Sequence, residues 1–350
     1  MTLNSFPPQY SSVNDSLVWV CYDANAIDIT KLNYKYVGEL YIGGVIVFRS
    51  KKFPTPTDAR GVFDLGNVIR QYCISKYQAE QGQGQFAIDV VFKLKEEYNG
   101  TIGGVVLTDS TRTYYNHYNG RTNSFTILST YAGKPATTRP NTIYLPSNCT
   151  RYYIPYFAET NAAFNVVLNG TTTVVTPTTT NTMQRINISI NATADYSAVI
   201  NGVTYSVKVV CRGLYDNYIL HFINQFGGYE SMYFPKASRK THDVERKTFT
   251  QPNYRVDGSG VVSVGNRQIT SFGSRFKEKL KISTDWLNDA EYQWLAQVVV
   301  SNDIYLDDLI NQYPVAITDT NYEFKNYVQD KLTNLSLNIE FGEAYKTQAN

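Results

Sequence analysis

The stretch KISTDWLNDAEYQWLAQVVVSNDIYLDDLINQYPVAI, residues 281–317, combines a helix-start signal, helical apolar spacing and a following strand pattern in one short window. The side chain of Asn288 is placed to accept a bond from the first turn, and Glu291 is placed to bond back, which completes a capping box. Helical spacing continues for about three turns in the apolar stripe of Trp294, Leu295 and Val298. The stretch therefore predicts one short capped helix clamped to strands.

The segment after this helix, Ile304, Tyr305 and Leu306, has the pattern of a short extended strand. Asp307 and Asp308 follow it directly, and charges beside a strand commonly protect an exposed sheet edge from unwanted pairing. We therefore expect these three residues to form an edge strand, where a neighbouring subunit adds a strand of its own. They are the candidate self-association site that the sequence offers.

Composition predicts a folded chain that is rich in strands. Hydrophobic residues make up 43% and charged residues 18% of the 350 residues, which is typical of a globular protein rather than a disordered one. Tyrosine is unusually abundant, with 29 Tyr against 3 Trp. Its ring packs while its hydroxyl stays hydrated, so it is enriched in strands and contact surfaces. The length exceeds one ordinary core, and we expect two or three domains.

Apolar alternation with a period of two, broken by turn residues, divides the chain into β units. We predict an N-terminal β-domain at 1–132 that begins with an extended arm, a proline-containing linker at 133–147, and a second β-domain at 148–238. The last unit, 239–350, contains the capped helix and a strictly alternating strand at 332–341. The predicted fold is mainly β, with two antiparallel sandwich or barrel-like domains and a C-terminal α+β domain.

Local patterns add three predictions. Residues 64–77 place apolar side chains at helical spacing, which predicts a modest amphipathic helix. The charge run RKTHDVERK at 239–247 is typical of a solvated connector. Asn-Gly dipeptides fit the two positive-φ positions of a hairpin turn, and they begin at Asn99, Asn119, Asn169 and Asn201.

Charge, targeting signals and cysteine spacing exclude several classes of protein. The net charge of +2 gives no basic footprint for a sequence-reading nucleic-acid binder, although a channel through which DNA slides needs none. The N-terminus lacks signal-peptide regions, and no apolar run reaches the roughly 20 residues of a membrane helix. Buried thiols are expected, ahead of metal or disulfide roles, at the widely separated Cys21, Cys73, Cys149 and Cys211.

The histidines stand outside the known catalytic and zinc-binding frames. His117, His221 and His242 are far apart in the sequence, and none lies in an H-E-x-x-H or H-x-E motif. His221 alternates with apolar neighbours on an apparent strand, so we expect a solvent-facing or satisfied side chain rather than a catalytic one. The histidine pattern therefore predicts no metal centre.

Glycine and carboxylate motifs are equally weak. The triplets Gly82-Gln83-Gly84 and Gly258-Ser259-Gly260 lack the spacing of a phosphate loop or a nucleophile elbow, and we interpret both as turns. The acidic clusters at 303–308 and 96–97 are interpreted as solubilising or edge-protecting, since neither has calcium-loop spacing. We therefore expect no enzyme activity, and no catalytic, metal or cofactor-binding residues. A carboxylate pair of a carbohydrate hydrolase, assembled across domains, stays open.

In the second half of the sequence, FINQFGGYESMYF is followed by the charged RKTHDVERK segment, and DWLNDAEYQWLAQVVVSNDIYL by QYPVAITDTNYEFK and LTNLSLNIEF. This order of motifs resembles a group of tail proteins from tailed phages of Bacteroidota-type hosts. In that group a helix carrying E-x-x-W-L precedes an S-x-x-(V/I)-Y-L strand. The resemblance covers mainly residues 218–341 and, more loosely, 34–72. Its motifs are structural, so it assigns no site residue.

The resemblance implies a virion structural protein. The expected role is a multi-copy subunit of a tail hub, ring or adaptor assembly that surrounds the DNA path, made in the host cytoplasm and located in the virion tail. Its expected partners are further copies in a symmetric ring and other tail proteins, with at most non-specific passage of DNA. The alternative is a glycan- or host-receptor-binding tail fibre or adhesin module, for which aromatic side chains would cluster around one concave site.

Overall fold

A computed structural model of the chain describes residues 1–79, 87–115, 128–188, 194–210, 216–265, 268–319 and 334–349. Most of these residues lie in strands, which confirms the predicted mainly-β class. The strands form several sheets with predominantly antiparallel pairing. Three clusters of buried apolar side chains lie between and beside these sheets, and each cluster draws most of its residues from a different part of the sequence.

The first unit encloses an aromatic core between two sheets. Its strands are β1 (Thr2–Ser5), β2 (Tyr10–Ser12), β3 (Val18–Tyr22), β4 (Lys35–Ile42), β5 (Val45–Lys52), β6 (Arg60–Asp64), β7 (Ile88–Tyr98), β8 (Thr101–Thr108) and β9 (Arg112–Tyr115). One sheet has the order β1-β3-β6 and the other the order β2-β9-β7-β4-β5, with β8 paired to β7. The rings of Trp19, Tyr36, Phe63 and Phe92 are buried between them.

The first unit also contains helix α1 (Gly66–Ala79), which confirms the helix predicted for 64–77. Asp64 accepts a hydrogen bond from the backbone N–H of Gly66 at the start of this helix. Ile69 and Cys73 pack into the aromatic core. A 3₁₀ turn at Ala24–Ile27 lies between β3 and β4 and leads into an exposed loop.

The second unit is a smaller sandwich. Its strands are β10 (Thr142–Pro146), β11 (Tyr153–Ala158), β12 (Phe164–Leu168), β13 (Thr171–Val175), β14 (Thr182–Asn187), β15 (Tyr196–Ile200) and β16 (Val203–Val210). A five-stranded sheet of order β10-β16-β15-β12-β13 accompanies the pair β11–β14. Strand β10 lies within the predicted linker 133–147 and pairs in parallel with β16. The prolines indicated a linker, but Ile143 and Leu145 are buried and make this segment part of the core.

The third unit is built on a seven-stranded sheet. Its strands are β17 (Tyr218–Ile223), β18 (Tyr229–Phe234), β19 (Arg239–Thr250), β22 (Ile269–Ser283), β23 (Ile304–Asp307), β24 (Gln312–Ile317) and β25 (Ser336–Ala349), in the order β18-β17-β23-β24-β25-β22-β19. The predicted boundary at 238/239 falls inside this sheet, because β17 pairs directly with β23. The two predicted C-terminal units therefore share one sheet.

The hairpin β17–β18 is buried on both faces and joins the second and third units. Ile219 and Tyr233 pack into the core of the second unit, whereas Leu220 and Phe222 face the third. Every residue of both strands is buried. A strand covered on both faces has a nearly continuous apolar sequence, and the aromatic run of this hairpin fits that rule.

Helix α2 (Asp289–Val300) confirms the predicted capped helix. The backbone N–H of Glu291 donates to the Asn288 side chain at 2.9 Å, and the Glu291 carboxylate accepts from the Asn288 backbone N–H at 3.0 Å. Trp294, Leu295 and Val298 are buried in the third core, as the apolar stripe predicted. At the other end, the hydroxyl of Ser301 accepts from the backbone N–H of Ile223 and fixes the helix to β17.

Residues 239–283 form a long hairpin, which we call the arm. Its two long strands are β19 and β22, and near its end lies a second short pair, β20 (Tyr254–Val256) and β21 (Val262–Val264). All twelve residues of β19 are exposed. The prediction of a solvated connector at 239–247 is correct about solvation and wrong about structure, because pairing with β22 makes the segment a strand.

Three of the four predicted Asn-Gly turns are confirmed. Asn99, Asn169 and Asn201 have φ values of 52°, 48° and 44°, and the glycine after each also has positive φ. Two consecutive positive-φ residues define the type I′ turn, which matches the twist of antiparallel strands. The fourth dipeptide, at Asn119, lies outside the described residues.

Candidate functional site

The candidate self-association strand Ile304, Tyr305 and Leu306 is not at an edge. Strand β23 pairs with β17 on one side and with β24 on the other, so the prediction of an edge is wrong. Its three residues are at most 8% exposed. The error lies in the interpretation of Asp307, which is not a solvated edge charge but a buried ion-pair partner. The outermost strand on this side of the sheet is β19, far away in the sequence.

Asp307 is the centre of a buried polar network between the second and third units. The guanidinium of Arg151, just before β11, donates from Nη2 to Asp307 Oδ1 at 3.0 Å, and its Nε lies 2.7 Å from Oδ2. The backbone N–H of Leu309 also donates to Asp307 Oδ1 at 2.7 Å. Burial raises the pKa of Asp307, but the bonds from His221 and Arg151 outweigh it, so the pKa lies below its usual value.

His221 connects Asp307 to Ser231 in an arrangement that has the composition of a catalytic triad. Its Nδ1 lies 2.7 Å from Ser231 Oγ, and its Nε2 lies 3.3 Å from Asp307 Oδ2. Ser231 Oγ accepts the backbone N–H of Tyr153, so its own hydrogen is directed to His221 Nδ1. Burial is the largest influence on the pKa of His221 and lowers it, which favours the neutral ring with Nε2–H donating to Asp307.

Burial argues against nucleophilic chemistry at this triad-like chain. Ser231, His221 and Asp307 are each no more than 1% exposed. A substrate carbonyl must reach the serine oxygen and a nearby oxyanion hole, and strands β17, β18 and β23 leave these side chains no access to solvent. The network satisfies buried polar groups where three strands meet, which makes His221 the satisfied histidine that its alternation with apolar neighbours predicted.

A second buried network surrounds Glu230 on the opposite face of β18. Thr137 Oγ1 donates to Glu230 Oε1 at 2.5 Å, and Asn224 Nδ2 donates to Oε2 at 3.1 Å. Arg139 Nη1 lies 3.8 Å from the carboxylate, and its guanidinium stacks over the Trp294 ring at 4.7 Å. Burial raises the pKa of Glu230 in spite of these partners. The predicted linker at 133–147 is thus bound to helix α2 and to the β17–β18 hairpin.

The remaining sequence motifs also have structural roles. Asp303 accepts a short hydrogen bond from the Tyr229 hydroxyl. Glu97 on β7 pairs with Lys35 on β4 and Lys51 on β5. Gly258-Ser259-Gly260 forms the turn of the β20–β21 hairpin, as predicted. His117, Cys211 and Gly82-Gln83-Gly84 lie outside the described residues. Within the described part of the chain, no group of three His, Cys, Asp or Glu side chains is arranged to hold a metal ion.

Three of the four cysteines can be placed. Cys21, Cys73 and Cys149 are buried, and burial raises the pKa of both Cys21 and Cys149 to about 12. A thiol with so high a pKa is almost entirely protonated at neutral pH and reacts slowly. The described helices include none that is long and apolar enough to cross a membrane.

The β20–β21 hairpin at the end of the arm exposes apolar side chains to solvent. Tyr254, Val256, Val262 and Val264 lie on one face of the β20–β21 hairpin, because Tyr254 stands opposite Val264 and Val256 opposite Val262. Their exposed fractions run from 52% to 77%. The sequence predictions do not include this face. The available signal was the alternation Tyr-x-Val and Val-x-Val around the Gly258-containing turn.

Comparisons with known proteins leave the family open. No protein-family model matches the sequence, and no curated protein matches it. One of the solved structures that match is Drosophila OTK, extracellular domains 3-5, at 10% identity and a TM-score of 0.22. The match covers 80% of this chain and 94% of that chain. A similarity at this TM-score carries no argument about fold or function.

Proposed function

We propose that this chain is a virion structural protein, a multi-copy subunit of a phage tail hub, ring or adaptor that surrounds the DNA path. The observation that carries the proposal is the arm: a strand of twelve exposed residues leads to a hairpin with one uncovered apolar face. Large apolar side chains that share one solvent-exposed face are typical of surfaces covered by another protein. The motif resemblance supplies the phage tail as the assembly.

The body of the protein also supports a structural role. Its polar clusters lie in the interior and connect strands from distant parts of the sequence, as Arg151 and Asp307 do across 156 positions. Buried polar groups that are bonded in this way fix the position of one strand relative to another. The Ser231–His221–Asp307 chain is buried, so a substrate cannot reach it. Symmetric assembly requires a rigid body with complementary faces, and the hairpin β17–β18 supplies rigidity by joining two cores.

The experiment that tests the proposal is a mass measurement on the purified full chain. Sedimentation velocity over a range of concentrations should give a defined oligomer, and negative-stain electron microscopy should show closed rings. An antibody against the chain should label the tail of intact phage particles. A strict monomer at the highest concentration, together with unlabelled particles, would overturn the proposal. Binding to a glycan array by a monomeric chain would favour the receptor-binding alternative instead.

A matched variant isolates the contribution of the arm. Thr250 and Ile269 are directly opposite in the register of β19 and β22, so a two-residue Asn-Gly turn can replace residues 251–268 and close the hairpin. We expect this shortened chain to keep its fold and to lose the oligomer. Unchanged circular dichroism and thermal unfolding would show that the loss is one of association.

A further inference from the structure

The three Asn-Gly turns of the described chain have closely matched backbones. Asn99, Asn169 and Asn201 have φ values of 52°, 48° and 44°, and the glycine after each has a φ between 78° and 82°. All three asparagines are exposed. The space beside each following glycine is open, since a Cβ added there would meet no atom within 4 Å. The three sites therefore differ mainly in the contacts of their side-chain amides and in the strands that the turns join.

The side-chain amides of Asn99 and Asn201 are bonded to other segments of the chain. Asn99 Oδ1 accepts the backbone N–H of Leu32 at 2.9 Å, and Asn99 Nδ2 donates to the carbonyl oxygen of Thr30 at 3.4 Å. Asn201 Nδ2 donates to the carbonyl oxygen of Gly133 at 2.9 Å. These hydrogen bonds must break before either side chain can rotate, so they restrict the positions that each amide carbon reaches.

The side-chain amide of Asn169 has no such anchor. Within the described residues, no group donates to it or accepts from it. Its turn joins β12 to β13, a strand of five residues that pairs with β12 alone among the described strands. Four of these five residues are exposed. A hairpin at a sheet edge opens locally at lower cost than the β15–β16 hairpin, whose strands each have two neighbours in the sheet.

An asparagine that precedes glycine can lose its side-chain amide to attack by the next backbone nitrogen. Here the nitrogen of Gly170 forms a bond to Cγ of Asn169, and the Cγ–Nδ2 bond breaks. Nδ2 leaves as ammonia, with the hydrogen that the backbone nitrogen gives up, and a succinimide ring remains. Glycine favours this step because it has no Cβ to hinder the approach of its nitrogen. Water then hydrolyses one of the two carbonyl–nitrogen bonds of the ring, which yields aspartate or isoaspartate at position 169.

From these observations we propose that Asn169 is a site of spontaneous deamidation in the folded chain, and that Asn99 and Asn201 are protected from it. The type I′ turn must open before Gly170 can reach the amide carbon, and the β12–β13 hairpin opens most easily. Water is the only co-reactant. The inference goes beyond the proposed function and does not depend on it, because the reaction involves one turn of a single chain.

Conversion to isoaspartate should loosen β13 and leave the sandwich folded. Isoaspartate routes the main chain through Cγ and adds one atom to the backbone, so the two-residue turn no longer supports the pairing of Leu168 with Thr171. Strand β12 keeps its pairing with β15, and its buried Phe164 and Val166 remain in the second core. The modification therefore alters an edge strand without removing any part of the core.

Mass spectrometry of peptides from the full chain tests the proposal after incubation at mildly alkaline pH, where a backbone nitrogen loses its proton more readily. The replacement of NH2 by OH is followed separately at Asn99, Asn169 and Asn201, and fragmentation distinguishes isoaspartate from aspartate. We expect Asn169 to react at least about fivefold faster than the other two, because a typical hydrogen bond shifts an equilibrium by about that factor. Equal rates at the three sites of the folded chain would overturn the proposal.

The control is the same incubation in guanidinium chloride. Unfolding removes the bonds that hold Asn99 and Asn201, and each of the three asparagines is still followed by glycine. We therefore expect similar rates at all three sites in the denatured chain. If all three react there while Asn169 stays intact in the folded chain, the β12–β13 turn is protected and the proposal is wrong.

Two variants connect the modification to β13. Asn169→Gly removes the amide and keeps the turn, since Gly-Gly also fits the two positive-φ positions, and Asn169→Asp adds the charge without the extra backbone atom. Hydrogen–deuterium exchange at residues 171–175 should rise in the aged wild-type chain. It should stay low in aged Asn169→Gly and in fresh Asn169→Asp. An equal rise in aged Asn169→Gly would overturn the assignment of this change to Asn169.

Discussion

Replacing Asp307 with Asn tests whether the buried network between the second and third units stabilises the protein. The substitution keeps size and one acceptor oxygen but removes the charge that faces Arg151. Asp307 is 1% exposed on its side chain, and Arg151 is 29% exposed. Breaking a fully buried pair costs about 3–5 kcal/mol, and an exposed pair contributes about 0–1 kcal/mol. Because Arg151 retains partial hydration, we expect a loss of about 2–3 kcal/mol in the free energy of unfolding.

Urea denaturation followed by tryptophan fluorescence measures this loss. The matched control is Asp195→Asn, which removes the exposed pair with Lys208, where both side chains are about half exposed. We expect the control to leave the free energy of unfolding almost unchanged, because an exposed ion pair contributes little to stability. If Asp307→Asn is as mild as Asp195→Asn, then the network does not stabilise the junction and our interpretation of its role is refuted.

The pH dependence gives an independent check of the same pair. The folded-state pKa of Asp307 is below its usual value, so the folded chain holds the carboxylate ionised to lower pH than the unfolded chain does. The stabilisation is therefore complete above the usual aspartate pKa of about 4, and is lost as the pH falls through the lower folded-state value. The difference in stability between wild type and Asp307→Asn should shrink over that acidic range and stay constant from pH 5 to 8.

Other substitutions test other parts of the fold. Trp294→Ala should cost about 3–5 kcal/mol because Trp294 is 3% exposed, whereas Trp286→Ala, at 61% exposure, should be nearly neutral in the same denaturation assay. Asn288→Ala removes the capping box and should cost about 1 kcal/mol, and a capping serine at that position should restore most of it. Burial lowers the pKa of His221, so the unfolded chain binds its proton first and stability should fall as the pH drops below about 6.5. His221→Gln should flatten that slope in thermal unfolding measured across pH, and an unchanged slope would contradict the neutral ring.

Features encoded by neighbouring residues were predictable from the sequence. The capping box needs only Asn288 and Glu291, three positions apart, and the type I′ turns need only an Asn-Gly pair. These motifs satisfy backbone groups or adopt unusual φ values locally, so no distant contact can change the outcome. Helix α1 and the apolar stripe of α2 were predictable for the same reason, because apolar residues at helical spacing identify the buried face of a helix.

Features decided by distant partners were not predictable. Strand β23 is interior because β17, about 85 residues earlier, pairs with it, and Asp307 is buried because Arg151 lies 156 positions away. The prolines around β10 predict a linker, but parallel pairing with β16 makes this segment a strand of the core. Strand β19 has charges on both faces, so alternation could not reveal it, and only its twelve-residue register with β22 defines it.

The arm and the rest of the chain are stabilised by different interactions, and this difference bears on the proposed assembly. Outside the arm, Tyr229 and Tyr233 of the β17–β18 hairpin are both 1% exposed, and they pack into the first and the second core, respectively. Loss of packing in one of these cores therefore weakens the other. The end of the arm buries little and is held mainly by backbone pairing between β20 and β21. Changes there should leave the free energy of unfolding almost unaffected and alter association strongly. Under the proposed multi-copy function, a chain so divided can vary the contact that the end of the arm makes without loss of its own fold.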